Sequence, residues 1–454
     1  MRTWAWHPGR ALPKIAAMIP TFYLSRDRRQ IDALLKNLRL DPVEISLSRG
    51  TLAAASQSVQ KILNDVAQRG DEAIVAISRQ FDDPNFTAEQ IRVTPQEMEE
   101  ASKRIPRDQG DAIRRSISQV REYQSHIMPK APTPLNRAGV ELSLRFTPLE
   151  SAGLYFPGGK ASYPSSLIML AVPAQVAGVG NIVVCTPPSK HGRSDLVLAA
   201  AHELNLKNVF RAGGAAAIAA MAFGTATIPR VDKIVGPGNT YVQLAKRLLA
   251  GAVGIDGYLG PSEILVLADE SGNARFIAAD LLAQAEHDPG SCFLLTTSEA
   301  MAQAVAEEIS RQIALLQRRS AIEKALKGSS AIILDPSIEN LIQLANQFAA
   351  EHVNVQVKDE SKVLPRLQHA GAIFLGAYSP VAAGDYVAGP SHCLPTNTTA
   401  RFSSGISVYE FLKRSSVVRY LPQGLSADAN AIIAMANAEG LDAHAASVRV
   451  REQK

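Results

Sequence analysis

Along residues 27–130 the apolar positions recur mostly at helical spacing, most clearly over 58–67 and 72–79, on either side of the break Arg69-Gly70-Asp71. Pro95 fits the first position of a further helix with Thr94 as its cap. From residue 151 the rhythm changes. Short β-rich runs at 153–156, 181–186, 208–212 and 233–235 alternate with helical stretches at 165–179, 194–204, 215–223 and 240–249. Such alternation predicts a parallel, doubly wound sheet. The rhythm then repeats, with runs at 264–268, 292–296, 331–334, 353–357 and 372–375 and helices between them. Two successive units of similar size predict two related α/β domains. Beyond about residue 405 the pattern predicts a short helical tail that ends in the charged stretch 449–454.

Composition narrows the class. The chain has 454 residues, 46% hydrophobic and 20% charged, enough to bury sizeable cores. With 47 basic and 43 acidic side chains the net charge is +4, too even to argue for nucleic acid or an anionic membrane as partner. Three cysteines, Cys185, Cys292 and Cys393, make neither a disulfide framework nor a CxxC thiolate site, so a reducing, cytoplasmic setting is expected. No apolar run reaches the length of a spanning helix. Residues 11–24 are fairly apolar but interrupted by Pro13, Lys14 and Pro20, so a signal peptide is not expected there. That stretch, with Trp4 and Trp6 before it, reads as a dispensable extension or as a start placed ahead of a true one at Met18.

Candidate chemistry comes from turns and polar pairs. Tyr155-Phe156-Pro157-Gly158-Gly159, Arg211-Ala212-Gly213-Gly214 and Gly236-Pro237-Gly238-Asn239 follow candidate strands. Glycine there lets a phosphate approach the backbone. Each alone is equally an ordinary strand-to-helix turn, since no full GxGxxG is present. Gln284 and His287 are three apart near a helix end stopped by Asp288-Pro289, a spacing that suits two ligands of one metal or simply a polar helix face. Glu351-His352 falls where a helix meets a strand, where a carboxylate and an imidazole can activate water and take a proton. Asp385 and His392 lie in a Gly/Pro-rich loop, and His444 lies in the tail. His7, His126, His191, His202 and His369 read as structural or solvated, and Cys185 as core.

In order along the chain stand GLYFPGG (153–159), YPSS (163–166), VDKIVGPGNTYV (231–242), GPSEILVLAD (260–269), ADLLAQAEHDP (279–289), AAEHVNV (349–355), YSPVAAGDYVAGPSHCLPT (378–396), ARFSSGISVYEF (400–411) and EGLDAHAASV (439–448). Together these blocks resemble the histidinol dehydrogenase family over roughly residues 50–451. The resemblance implies NAD-linked, zinc-dependent oxidation of L-histidinol to L-histidine through the aldehyde, the last step of histidine biosynthesis. It implies zinc ligands at Gln284, His287, Asp385 and His444, and a catalytic pair at Glu351 and His352. It implies substrate contacts at Ser262, His392 and Glu439 besides the ligands and His352, with Ser165 a further candidate, and cofactor contacts at Tyr155 and Asn239. It also implies an intertwined homodimer with shared active sites.

The implied fold is a pair of incomplete Rossmann-like sheet domains with small helical termini. Expected boundaries are 1–48 for an extension and helical segment, 49–154 with 262–406 for a metal and catalytic domain, 155–261 for an NAD-side domain, and 407–454 for a dimer-crossing helical tail. Three positions depart from the family's usual residues: Ala216 for glutamine, Leu259 for alanine and Ala350 for proline. A missing amide at Ala216 implies weaker NAD binding. These departures leave open a paralogue acting on another small polar alcohol, such as a sulfopropanediol. A non-catalytic binding dimer is disfavoured by retention of the ligands and the acid–base pair.

Overall fold

The computed structural model describes residues 18–158, 162–189, 193–257, 260–287 and 289–452. The extension 1–17, Gly159, His191, Leu259 and Asp288 lie outside the described residues. Among those described, no helix is long and apolar enough to cross a membrane.

Strands β1 (Thr21–Tyr23), β2 (Leu135–Arg137), β3 (Val140–Pro148), β4 (Ser151–Tyr155), β5 (Asn181–Thr186), β6 (Asn208–Arg211), β7 (Lys233–Val235), β8 (Gly254–Ile255), β9 (Ser262–Ala268), β10 (Gly290–Thr296), β11 (Ala331–Leu334), β12 (His352–Gln356), β13 (Ala372–Leu375) and β14 (Leu412–Tyr420) form three sheets. One is parallel with order β6-β5-β4-β7-β8, and the second is parallel with order β1-β11-β10-β9-β12-β13. Apart from the added β1, both run outward from a first central strand, reverse, and run out the other way. That is the doubly wound plan expected from the alternating rhythm.

Burial on both faces explains why these strands read as continuous apolar runs. Along β9, Ile264, Val266 and Ala268 enter one core while Leu265 and Leu267 enter the core on the opposite face. Gly153 in β4 has a packing reason: a Cβ there would lie 2.6 Å from the Met221 sulfur, so the helix Gly214–Phe223 can rest directly on the strand.

Two boundaries differ from those expected. The helices Ala53–Arg69 and Asp71–Phe81 place Val59, Leu63, Val66 and Ile74 in the core of the five-stranded sheet. Met98, Ala101, Ile113 and Val120 join that sheet's other core. β4 is its central strand. Residues 53–126 and β4 therefore belong with the five-stranded module, not with 262–406, while β2 and β3 lie in a separate sheet. An apolar stripe is assigned by the surface it covers, and sequence order gave no sign of which sheet that was. Conversely, β1 adds to the six-stranded sheet by pairing with β11, so residues 21–23 are part of a core.

The tail is not wholly helical. β14 pairs along its length with β3, and β2 completes an antiparallel three-stranded sheet. Only then follow the helices Pro422–Ala438 and Asp442–Glu452. The strand LKRSSVVRY is mostly exposed and lacks core-facing alternation, so its pattern gave no strand signal.

Candidate functional site

The polar pairs singled out in the sequence meet at the amino ends of β9, β10 and β12. The helix Ile338–Phe348 ends with Ala349 in a left-handed conformation (φ 46°), and Glu351 and His352 follow at once at the head of β12. Both are buried, each 5% exposed. The Glu351 carboxylate accepts the Glu263 amide at 2.9 Å and bonds the Ser262 hydroxyl. Burial pushes its carboxyl well above the ordinary range, with the Glu263 and Asp385 carboxylates adding to the shift.

His352 Nδ1 lies 3.2 Å from the Glu263 carbonyl, and Nε2 lies 3.8 Å from Asp385 Oδ1. Burial pushes its pKa down to about 3, so the ring is neutral near pH 7. A carbonyl can only accept, so Nδ1 carries the hydrogen and the Nε2 lone pair is left free.

Gln284 lies in the last turn of the helix Ala274–Ala285 and is 4% exposed, with its amide nitrogen unpartnered. His287 follows within the next turn and keeps solvent access. It lies in electrostatic reach of Asp385, whose carboxyl burial raises to about 6 against the pull of His287. An amide, an imidazole and a half-buried carboxylate with little cationic support make a donor set that a divalent cation would complete.

His444 does not join them. Both it and Glu439 are exposed, on the tail helices or between them. Among the described residues no three His, Cys, Asp or Glu side chains of one chain surround a common metal position.

His392 is placed differently from a free substrate contact. Its Nδ1 donates to the Asp385 carbonyl at 2.8 Å, and Nε2 lies 3.0 Å from the Ser166 hydroxyl. Both ring nitrogens are thus engaged by protein, and the ring ties the helix Pro164–Ala177 to the segment that holds Asp385. Ser165, beside Ser166, is half-buried in the first turn of that helix.

The candidate cofactor residues stand on the other sheet, at strand carboxyl ends. Tyr155, last in β4, is 3% exposed, and its hydroxyl accepts the Gly214 amide at 3.1 Å. Asn239 caps the helix Thr240–Leu249, accepting the amides of Tyr241 and Val242. Gly236 is obligatory: its φ is +124°, and a Cβ there would sit 1.8 Å from the Tyr155 carbonyl oxygen. Ala216 is 2% exposed and packed in the core beneath Tyr155.

Sequence reasoning missed three buried groups. Glu263 is 1% exposed with its carboxyl pushed up by burial to about 8. Its Oε1 accepts the amide of Asn397, which with Thr398 forms a turn of two left-handed residues (φ 55° and 63°). Lys246 and Asp256 form a buried ion pair. Glu263 is a lone polar letter whose partners arrive from residues 351 and 397, and Lys246 and Asp256 lie between the recognised blocks. The block GPSE was the only signal, and it pointed to Ser262.

The comparisons agree across the chain. The family model described as histidinol dehydrogenase matches residues 47–452. A histidinol dehydrogenase of Synechococcus sp. is 47% identical over 398 residues, covering 87% of this chain and 92% of that protein. One of Oceanobacillus iheyensis is 44% identical over 399 residues, covering 87% and 93%. The crystal structure of histidinol dehydrogenase from Elizabethkingia anophelis superposes with a TM-score of 0.85 at 35% identity, covering 92% of this chain and 95% of that one.

Proposed function

The chain belongs to the histidinol dehydrogenase family, and from that membership we propose how its residues divide the work. It is an NAD-dependent oxidoreductase that oxidises L-histidinol to L-histidine in histidine biosynthesis. The observation that carries the residue assignment is the buried Glu351–His352 pair, held on either side of the Glu263 peptide beside Asp385.

The alcohol-to-acid conversion removes two hydrides and adds one water oxygen. In the first half, His352 Nε2 takes the hydroxyl proton as hydride leaves the carbinol carbon. The Glu263 carbonyl holds the ring in the tautomer that leaves this nitrogen unprotonated and able to accept. In the second half, Glu351 takes a proton from the water that adds to the aldehyde, and the hydrate gives up the second hydride. Its raised carboxyl pKa makes it a stronger base than an ordinary glutamate once ionised. Ser262 and the Glu263 amide fix that carboxylate.

Gln284, His287 and Asp385 would hold a zinc ion with His444 of the partner subunit. When bound, zinc supplies a template for the substrate's amino and imidazole nitrogens, and NAD supplies the hydride acceptor. Tyr155 and Asn239 are assigned to the cofactor side, and Ser262 and Glu439 to the substrate.

The tail supports a shared-site homodimer. Glu439 and His444 are exposed, and their helices leave Met435 (64%), Leu441 (42%) and Val450 (60%) uncovered. A chain with inactive His444→Ala and a chain with inactive His352→Ala, mixed under exchange, should regain about half activity per heterodimer, since two-fold symmetry puts both lesions in one site and none in the other. A mixture shown to exchange that stays inactive would reject shared sites.

The substrate assignment is tested by NADH formation from purified protein with histidinol and a panel of other small alcohols. Histidinol should have the highest kcat/KM and yield two NADH per molecule. Preference for a different alcohol, such as a sulfonated propanediol, would overturn it.

A further inference from the structure

The Gly236–Asn239 turn is held from beneath by a charge pair. Lys246 stands on the helix that Asn239 caps, and Asp256 follows β8; their side chains are 1% and 0% exposed and form an ion pair. Asp256 Oδ2 accepts the Gly236 amide at 2.6 Å, and Lys246 Nζ donates to the Gly236 carbonyl at 3.0 Å. One residue, the one that must adopt φ +124° at the end of β7, is therefore gripped at both of its backbone polar groups. Gln243 adds a bond to the Gly238 carbonyl at 3.3 Å.

A buried ion pair is by itself weak evidence of a role in stability. Apolar residues of similar volume often replace a buried ion pair at no loss, because desolvation cancels much of the attraction. What apolar replacements could not supply is the simultaneous donor and acceptor for Gly236. The pair also stands within electrostatic reach of the buried Cys393 thiol.

We propose that Lys246 and Asp256 are positioning residues for the cofactor, setting the shape of the Gly236–Asn239 turn against which the dinucleotide binds. This rests on the reading that Tyr155 and Asn239 flank the cofactor. The pair touches no reacting atom and acts through the Gly236 peptide.

The test uses full-length, zinc-loaded enzyme. Lys246→Met/Asp256→Leu removes the charges together and leaves an apolar pair. Its melting temperature should be at or near that of the parent. Its Kd for NAD, by calorimetry, should rise about five- to twenty-fold, the scale of one or two lost hydrogen bonds. Zinc content and histidinol affinity should be unchanged. A purely structural pair would shift the melting temperature without changing NAD affinity relative to histidinol affinity. Parental NAD affinity in the double variant, with affinity lost in Asn239→Ala, would overturn the clamp and leave the cofactor reading intact. Parental affinity in both would overturn both. If the double variant does not fold, Asp256→Asn, which keeps nearly the same shape, is measured by the same criterion.

Discussion

Replacing His352 with asparagine is expected to slow histidinol oxidation by about 10²–10⁴, the usual cost of losing one general base. The geometry explains why an amide should fail. The asparagine could still meet the Glu263 carbonyl in place of Nδ1, but it offers no basic nitrogen where Nε2 stands. Glu351→Gln is expected to behave differently. It keeps an oxygen for the Glu263 amide, so the site should hold its shape and the first hydride transfer should proceed. Aldehyde oxidation should fall by a similar factor of about 10²–10⁴, because no carboxylate remains to take the water's proton. Single-turnover measurements on histidinol and separately on the aldehyde resolve the two halves. Equal losses on both substrates in both variants would remove the division of roles.

Removal of the metal is expected to have an effect as large. Chelation should abolish turnover, and added zinc should restore it. His287→Ala should purify with far less than one zinc per chain, because it leaves only Gln284 and Asp385 of the three ligands assigned within a chain. The raised carboxyl of Asp385 gives a second readout: a cation there would keep the carboxylate ionised. Stoichiometric zinc in His287→Ala, measured by elemental analysis, would move the metal elsewhere.

Much of this was legible in the letters because both faces of the parallel strands are buried. β5, β9 and β11 stand out as β-branched or aliphatic runs, and the helices between them fall where the spacing put them. The antiparallel sheet was not legible. β14 is held by its ladder with β3, and its exposed side chains carry little trace of that pairing. At the site, the Glu351–His352 pair and the turns at Tyr155 and Gly236 were visible as local motifs. Glu263 was not, since its role comes from a backbone amide and carbonyl that any residue possesses. The engaged state of His392 was equally hidden, because Ser166 lies in a block far away in the chain.

The placement of β1 has a consequence for how the protein is made. Thr21 pairs with Ile332, so β1 waits for a strand made about three hundred residues later, after β9 and β10. The parallel ladders from β4 to β8 can form meanwhile, but that module's core also takes in Cys393, Ile406, Val408 and Phe411. Vectorial synthesis thus leaves both sheets waiting, β1 for β11 and the five-stranded module for residues 393–411, so both close late through contacts distant in sequence. Such closure is intrinsically slow. Ribosome-bound chains stalled before residue 331 should therefore show residues 21–23 open to protease, with protection appearing only once β11 has emerged.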